Sequence, residues 1–113
     1  MSALQEFRTR LNSNTFAFSE TLDFIANHYA YQPSAFNNGG VENAAGQNEG
    51  SCKTLGFALL EQLSNEEALL CFGEHYRSVL ATPEGSDHAN IRALIAHGLS
   101  AVKFAQQPIS RAQ

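Results

Sequence analysis

Residues 46–57 read GQNEGSCKTLGF, and this stretch joins a polar, glycine-rich segment to an apolar run. Leu55 and Leu59 recur at helical spacing, so the run predicts a helix over residues 51–62. The polar start of this helix either caps it or also binds a ligand. The functional interpretation of the chain depends on which of these holds.

Asparagine and glycine dominate the segment before this helix, SAFNNGGVENAAGQNEG at residues 34–50. The Asn38-Gly39 dipeptide is a turn signal, and no long apolar run interrupts the segment. We therefore predict a loop over residues 34–50. Loops of this length within a compact domain are commonly functional.

Apolar periodicity outside this segment predicts further helices, with Ser19 as the N-cap of the second. Ser64 and Glu67 form an S-x-x-E capping box at the start of another. Gly73 inside that helix indicates close packing of a neighbour. The predicted helices cover residues 3–11, 19–32, 51–62, 65–81 and 88–97.

The expected fold is therefore mainly α: a single small domain, 1–113, of about five helices with a long Asn/Gly-rich loop. Residues 99–104 are predicted to form either a short strand or a last helical turn. If they form a strand, the fold also contains a short strand pair. Residues 1–3 and 105–113 are expected to fray, because both ends are polar.

Composition excludes several classes of protein. The chain has 113 residues, a net charge of −4 and only seven scattered Lys and Arg residues, so we expect no nucleic-acid partner. No run approaches the roughly 20 apolar residues that span a bilayer, and the N-terminus does not resemble a Sec signal peptide. We expect a cytoplasmic protein with reduced thiols, no cofactor and no metal, because the spacing of Cys52 and Cys71 matches no zinc pattern.

The junction at residues 46–57 does not match a phosphate-binding P-loop. That motif requires G-x-x-x-x-G-K-[ST] after a buried strand. Here Gly46 and Gly50 are one residue too close, and two residues separate Gly50 from Lys53. A P-loop nucleotide site is therefore excluded.

A cysteine nucleophile is a second interpretation. Cys52 would lie in the first helical turn, where the helix dipole favours a thiolate. His75 or His88 could act as its base, with Asn48 or Asn90 as the orienting group. The alternative is that Cys52 is a small buried apolar residue, as free cysteines often are.

An anion site is the third interpretation, because free N–H groups at a helix start bind anions. Glu49 at the same end would compete with the ligand or be the anion itself. The site would form where residues 37–53 meet the last two predicted helices. Its candidate binding residues are Asn38, Asn48, Glu49, Ser51, Lys53, Arg77, Asn90 and Arg92. A polar cluster with a purely structural role is the remaining alternative.

Four segments carry a likeness to a known family: YQPSAFNNG at 31–39, NAAGQNEGSCK at 43–53, CFGEHYRSVL at 71–80 and DHANIR at 87–92. With them the chain resembles the HopJ type III effector family of bacterial proteins. The resemblance extends from Leu22 to Phe104.

The resemblance implies a small single-domain bacterial protein that a type III apparatus delivers into a host cell. It implies no established activity and supplies no catalytic residues. We expect an effector-like protein, with an enzyme disfavoured. A host or bacterial protein or a small anion would be its partner, and the oligomeric state is left open. The alternative is an intracellular ligand- or anion-binding domain, or a cysteine-dependent enzyme, with its site at residues 37–53.

Overall fold

The computed structural model describes residues 2–112, which form helices, short strands and one 3₁₀ turn. The helices are α1 (Ala3–Arg10), α2 (Phe18–His28), α3 (Glu49–Leu60), α4 (Asn65–Leu70), α5 (Glu74–Ala81) and α6 (Ala89–His97). The strands are β1 (Tyr29–Tyr31), β2 (Phe36–Asn38), β3 (Val41–Asn43), β4 (Val102–Phe104) and β5 (Ile109–Arg111), with the 3₁₀ turn at Leu99–Ala101 before β4.

The prediction of a mainly α fold is wrong, because two small antiparallel sheets accompany the helices. One sheet has the strand order β3-β2-β4, and the other pairs β1 with β5. Among the described residues the helices number six rather than about five. The fold therefore mixes helices and strands.

The segment predicted as a loop contains the hairpin β2–β3. Phe36 pairs with Asn43, and Asn38 pairs with Val41. The two residues between the strands, Gly39 and Gly40, have φ values of +58° and +99°. Two successive residues with positive φ form the tight turn that matches the twist of a hairpin, and glycine adopts it without strain.

Within the C-terminal segment 105–113, which was predicted to fray, residues 109–111 form strand β5. Ile109 is fully buried. A Cβ on Gly56 of α3 would lie 2.6 Å from Pro108, so the missing side chain lets this segment pack against the helix. The parts of the fraying prediction that concern Met1 and Gln113 lie outside the described residues.

The helix predicted over 65–81 is two helices, α4 and α5, separated at Gly73. The capping box of Ser64 and Glu67 at the start of α4 is confirmed. Gly73 has φ +56° and ψ −126°, which a residue with a side chain rarely adopts. A Cβ at Gly73 would lie 2.5 Å from the backbone nitrogen of Phe18, which confirms the predicted close packing.

The core forms around α3. Phe57 is fully buried. Its ring meets that of Phe7 edge-on at 5.5 Å, and Phe7 stacks on Phe24 at 4.6 Å. Buried aromatic pairs of this geometry stabilise a core beyond the area that they bury. This packing fixes α3, whose N-terminus points away from the aromatic cluster toward the polar residues of β3 and α6.

Candidate functional site

A cavity of about 390 Å³ lies where β3 meets the first turns of α3 and α6. Its lining residues come from these three elements, from the residues that precede α3 and α6, from the start of α2, and from the turn before α5 and its first residues. They are Phe18, Val41, Glu42, Asn43, Asn48, Gly50, Ser51, Phe72, His75, His88, Ala89, Asn90 and Ile91. The volume lies within the range of pockets that hold small organic ligands.

Asparagine side chains join the elements around this cavity. Asn43 and Asn90 form a reciprocal pair, in which each amide nitrogen donates to the other's oxygen at 3.2 and 3.0 Å. Asn48 donates to Asn43 Oδ1 at 2.7 Å. Asn38 donates to the backbone oxygen of Asn90 at 2.9 Å and to its Oδ1 at 3.1 Å.

The reciprocal pair is buried, so its hydrogen bonds are protected from water. Asn43 is 3 % exposed and Asn90 is 6 % exposed. Asn38 is fully buried, and its Oδ1 accepts no hydrogen bond from the described residues. Buried amides without partners are costly, so the cluster tolerates few other arrangements. Its hydrogen bonds fix the positions of β2, β3, α3 and α6 relative to one another.

The two helices at the cavity begin in the same unusual way. Their N-cap residues, Asn48 and His88, both have left-handed backbones, with φ of +52° and +53°. Neither side chain caps its own helix. The first N–H groups of a helix have no partner within it, so the N–H groups of residues 49–51 and of residues 89 and 90 are available at the two helix starts. The Ile91 N–H instead donates to the backbone oxygen of His88 at 3.0 Å.

Aromatic rings also line the cavity. Phe18 stacks on Phe72 with ring centroids 5.6 Å apart, and it meets His75 edge-on at 5.2 Å. His75 lies 5.1 Å from His88, centroid to centroid. A Cβ on Gly50 would lie 3.0 Å from the Phe18 ring, so this glycine lets the ring reach the start of α3.

Each of the two histidines follows an acidic residue in the chain. Asp87 Oδ2 lies 3.9 Å from His88 Nε2, and the hydrogen bond from Arg92 holds the pKa of Asp87 below its ordinary value. Glu74 precedes His75 and accepts a hydrogen bond from the Phe18 N–H at 2.7 Å. That bond is the main cause of the lowered pKa of the Glu74 carboxyl. Both carboxylates therefore stay charged near neutral pH, and each belongs to the residue that directly precedes one of the two histidines.

The cavity brings together part of the predicted site. Asn48, Ser51, His75, His88 and Asn90 line it. Asn38 reaches it indirectly, through its bonds to Asn90. These residues come from the polar loop segment and from the last two helices, the region in which the sequence predicted a site.

Cys52 does not line the cavity. It is 2 % exposed, and its Sγ faces the backbone oxygen of Ser34 at 3.7 Å. The structure therefore does not bring Cys52 together with His75 and His88, as a cysteine nucleophile would require. Cys71 is also buried, and burial raises the pKa of its thiol to about 12.

The charged candidates are engaged elsewhere. The Lys53 ammonium lies 4.8 Å from the centre of the Tyr31 ring, and Glu49 accepts a hydrogen bond from the Tyr31 hydroxyl. Arg77 donates to the backbone oxygen of Phe16 at 2.9 Å. Arg92 donates to Asp87 Oδ1 at 2.6 Å. None of these four charged residues lines the cavity.

Sequence reasoning missed the apolar and strand residues of the cavity. Phe18 is the first residue of α2, and Phe72 lies in the turn between α4 and α5. Val41, Glu42 and Asn43 come from a strand that the sequence did not predict. The available signal was the Asn-Gly-Gly turn at residues 38–40, flanked by Phe36 and Val41, which is typical of a hairpin. Within residues 2–112, no three His, Cys, Asp or Glu side chains are arranged to hold a metal ion.

Comparison with known proteins gives a family. The HopJ type III effector protein family matches residues 4–109, which is nearly the whole chain. The chain belongs to the HopJ family. The crystal structure of VPA0580, a protein of unknown function, is similar in fold, with a TM-score of 0.91 and 38 % sequence identity over 98 % of this chain and 95 % of that one.

Among curated proteins, none matches the chain in sequence. Of the helices between residues 2 and 112, none combines the length and the apolar character that crossing a bilayer needs. The HopJ assignment and the cavity are therefore the two findings on which a function can be proposed.

The asparagine cluster generates a prediction about stability. Replacing Asn90→Ala removes both bonds of the reciprocal pair and leaves the amide of Asn43 buried without them. We expect the free energy of unfolding to fall by about 2 kcal/mol, measured by urea denaturation. The matched control is Asn14→Ala, since Asn14 is exposed, and its effect should stay within about 0.5 kcal/mol. Equal effects from the two substitutions would show that the cluster does not hold the fold.

Proposed function

We propose that this HopJ protein is a binding protein for a small ligand with an anionic group, and that the cavity at α3 and α6 is its site. One observation carries the proposal: two helix N-termini and two imidazoles meet at one cavity of about 390 Å³. Each component attracts an anion, and all of them line the same space.

The helix ends supply the first part of the attraction. The N-terminus of a helix carries a partial positive charge and free N–H donors, which suit an oxyanion. α3 and α6 span Glu49–Leu60 and Ala89–His97, so both are long enough for an appreciable dipole. The hydroxyl of Ser51 and the amide of Asn48 add neutral hydrogen-bonding groups to the same wall.

Positive charge at the cavity wall can come only from the imidazoles among the lining residues. No Lys or Arg is among the lining residues, and Glu42 is the one carboxylate there. Glu42 already accepts a hydrogen bond from Asn37. His75 and His88 therefore provide the positive charge, and they do so only when protonated.

The alternatives receive less support. A cysteine-dependent enzyme would need an accessible thiol near a base, and Cys52 is buried and contacts Ser34 instead. A purely structural role for the asparagines is compatible with their bonds, but it gives no reason for two uncapped helix starts beside a histidine pair. Binding accounts for both features.

The histidines generate a prediction about pH. Sulfate is a suitable probe, because its charge does not change between pH 6 and pH 8. We expect sulfate to bind about tenfold more weakly at pH 8 than at pH 6, because an imidazolium attracts an anion more strongly than a neutral imidazole does. Isothermal titration calorimetry at the two pH values measures the difference.

Substitutions of the histidines test whether the pH effect on sulfate binding arises at the cavity. His75→Gln and His88→Gln should each reduce the difference between the two pH values. His28→Gln is the matched control, because His28 is exposed on α2 and does not line the cavity; it should leave the difference unchanged. The anion site would be contradicted if sulfate binds neither at pH 6 nor at pH 8. It would also be contradicted if both cavity variants keep the full pH effect.

We also propose that the protein is exported through a type III apparatus, as the description of its family suggests. Its N-terminal segment belongs to the fold, since α1 places Phe7, fully buried, in the core. A signal there has to be tested apart from the fold.

A reporter fused to residues 1–32 should leave a bacterium that has a type III apparatus and stay inside a matched strain that lacks it. A reporter fused to residues 82–112 is the control and should stay inside both strains. Equal amounts of the N-terminal fusion outside the two strains would contradict type III export.

A further inference from the structure

The cavity is larger than an inorganic oxyanion requires, and part of its wall is apolar. This inference rests on the proposed function and concerns the class of ligand. We propose that the ligand is an organic ester of an oxyanion with one anionic group, whose apolar body, about the size of a ring, packs against Phe18 and Val41.

The apolar wall is available to a ligand. Phe72 and Ile91 line the cavity, but they are 2 % and 3 % exposed, so they form its floor. Phe18 and Val41 are only partly buried, so both can present apolar side-chain surface to the cavity. Pockets for organic ligands combine such surface with a few polar groups that fix orientation.

The apolar wall also lies directly beside the anion-binding groups. The Phe18 ring lies against Gly50 in the first turn of α3, since a Cβ on Gly50 would be 3.0 Å from the ring. The same ring lies 5.2 Å from His75. An oxyanion at the helix starts therefore places a group attached to it against Phe18, without a long linker between the two parts.

The charge of the wall limits the ligand to one anionic group. Sites for nucleotide polyphosphates use Lys, Arg or a metal ion to neutralise several phosphates. Here the cavity wall has two imidazoles and the carboxylate of Glu42, and Arg77 and Arg92 are bonded elsewhere. A second or third phosphate would lack a partner and would lie near Glu42.

A comparison of phenyl phosphate with methyl phosphate isolates the contribution of the apolar group to binding. The two esters carry nearly the same charge at pH 7 and differ in the apolar group. We expect calorimetry to show phenyl phosphate binding about tenfold more tightly, the contribution of a partly buried ring. Phe18→Ala should remove most of this preference. Thermal melting checks that the variant folds, since Phe18 also stacks on Phe72.

Val41→Thr keeps the shape of the side chain and makes it polar, so it tests the wall without depending on Phe18. It should reduce phenyl phosphate binding several-fold and leave methyl phosphate binding unchanged. Ile95→Thr is the matched control, since Ile95 is 47 % exposed and does not line the cavity; both affinities should stay as in the unmodified chain.

The outcomes distinguish this inference from the proposed function. Equal affinity for the two esters, or a preference for phenyl phosphate that Val41→Thr leaves intact, would overturn the apolar-body inference while the anion site stands. If neither ester nor sulfate binds at any pH from 6 to 8, both the inference and the proposed function are overturned.

Discussion

The reciprocal hydrogen-bonded pair of Asn43 and Asn90 is the constraint on which the site depends. It joins strand β3 to helix α6 across 47 positions of sequence, and Asn48 extends it to α3. Amides buried in this way must be paired, and their donors and acceptors are directional. Apolar side chains could fill the same space, but they would not fix the orientation of three elements relative to one another.

That constraint has a chemical consequence. The cluster uses neutral groups to hold two helix starts at one cavity, in a chain with a net charge of −4. The attraction for an anion then comes from backbone N–H groups and from imidazoles whose charge depends on pH. Lys53, Arg77 and Arg92 contribute to the fold through Tyr31, Phe16 and Asp87.

Local signals in the sequence predicted some local features correctly, but the predicted N-cap Ser19 lies inside α2, whose N-cap is Ala17. The capping box of Ser64 and Glu67 involves residues that contact each other within one turn, and Gly73 could be recognised because glycine inside a helical pattern needs a reason. The hairpin β2–β3 was missed because its strands are three residues long and mostly polar, so they lack alternation. Strand β5 was missed because it depends on a distant contact between Pro108 and Gly56.

The candidate site was predictable in its location and less so in its chemistry. Asn48, Ser51 and Asn90 stand beside helix starts in the sequence, and all three line the cavity. Cys52 is one position further along α3 than Ser51, and a rotation of about 100° turns it to the buried face with Leu55. Its spacing of three from Leu55 was the signal for the core. The contact between His75 and His88 depends on how α5 packs against α6, which no local pattern contains.

The most direct test of the account is to find which backbone amides respond to an anion. Nuclear magnetic resonance of ¹⁵N-labelled protein, titrated with sulfate at pH 6, reports the shift of each amide. The account predicts that the largest shifts fall on residues 49–51 and on residues 89 and 90, at the starts of α3 and α6. Shifts concentrated around surface cations such as Lys103 and Arg111, with these two turns unchanged, would contradict it.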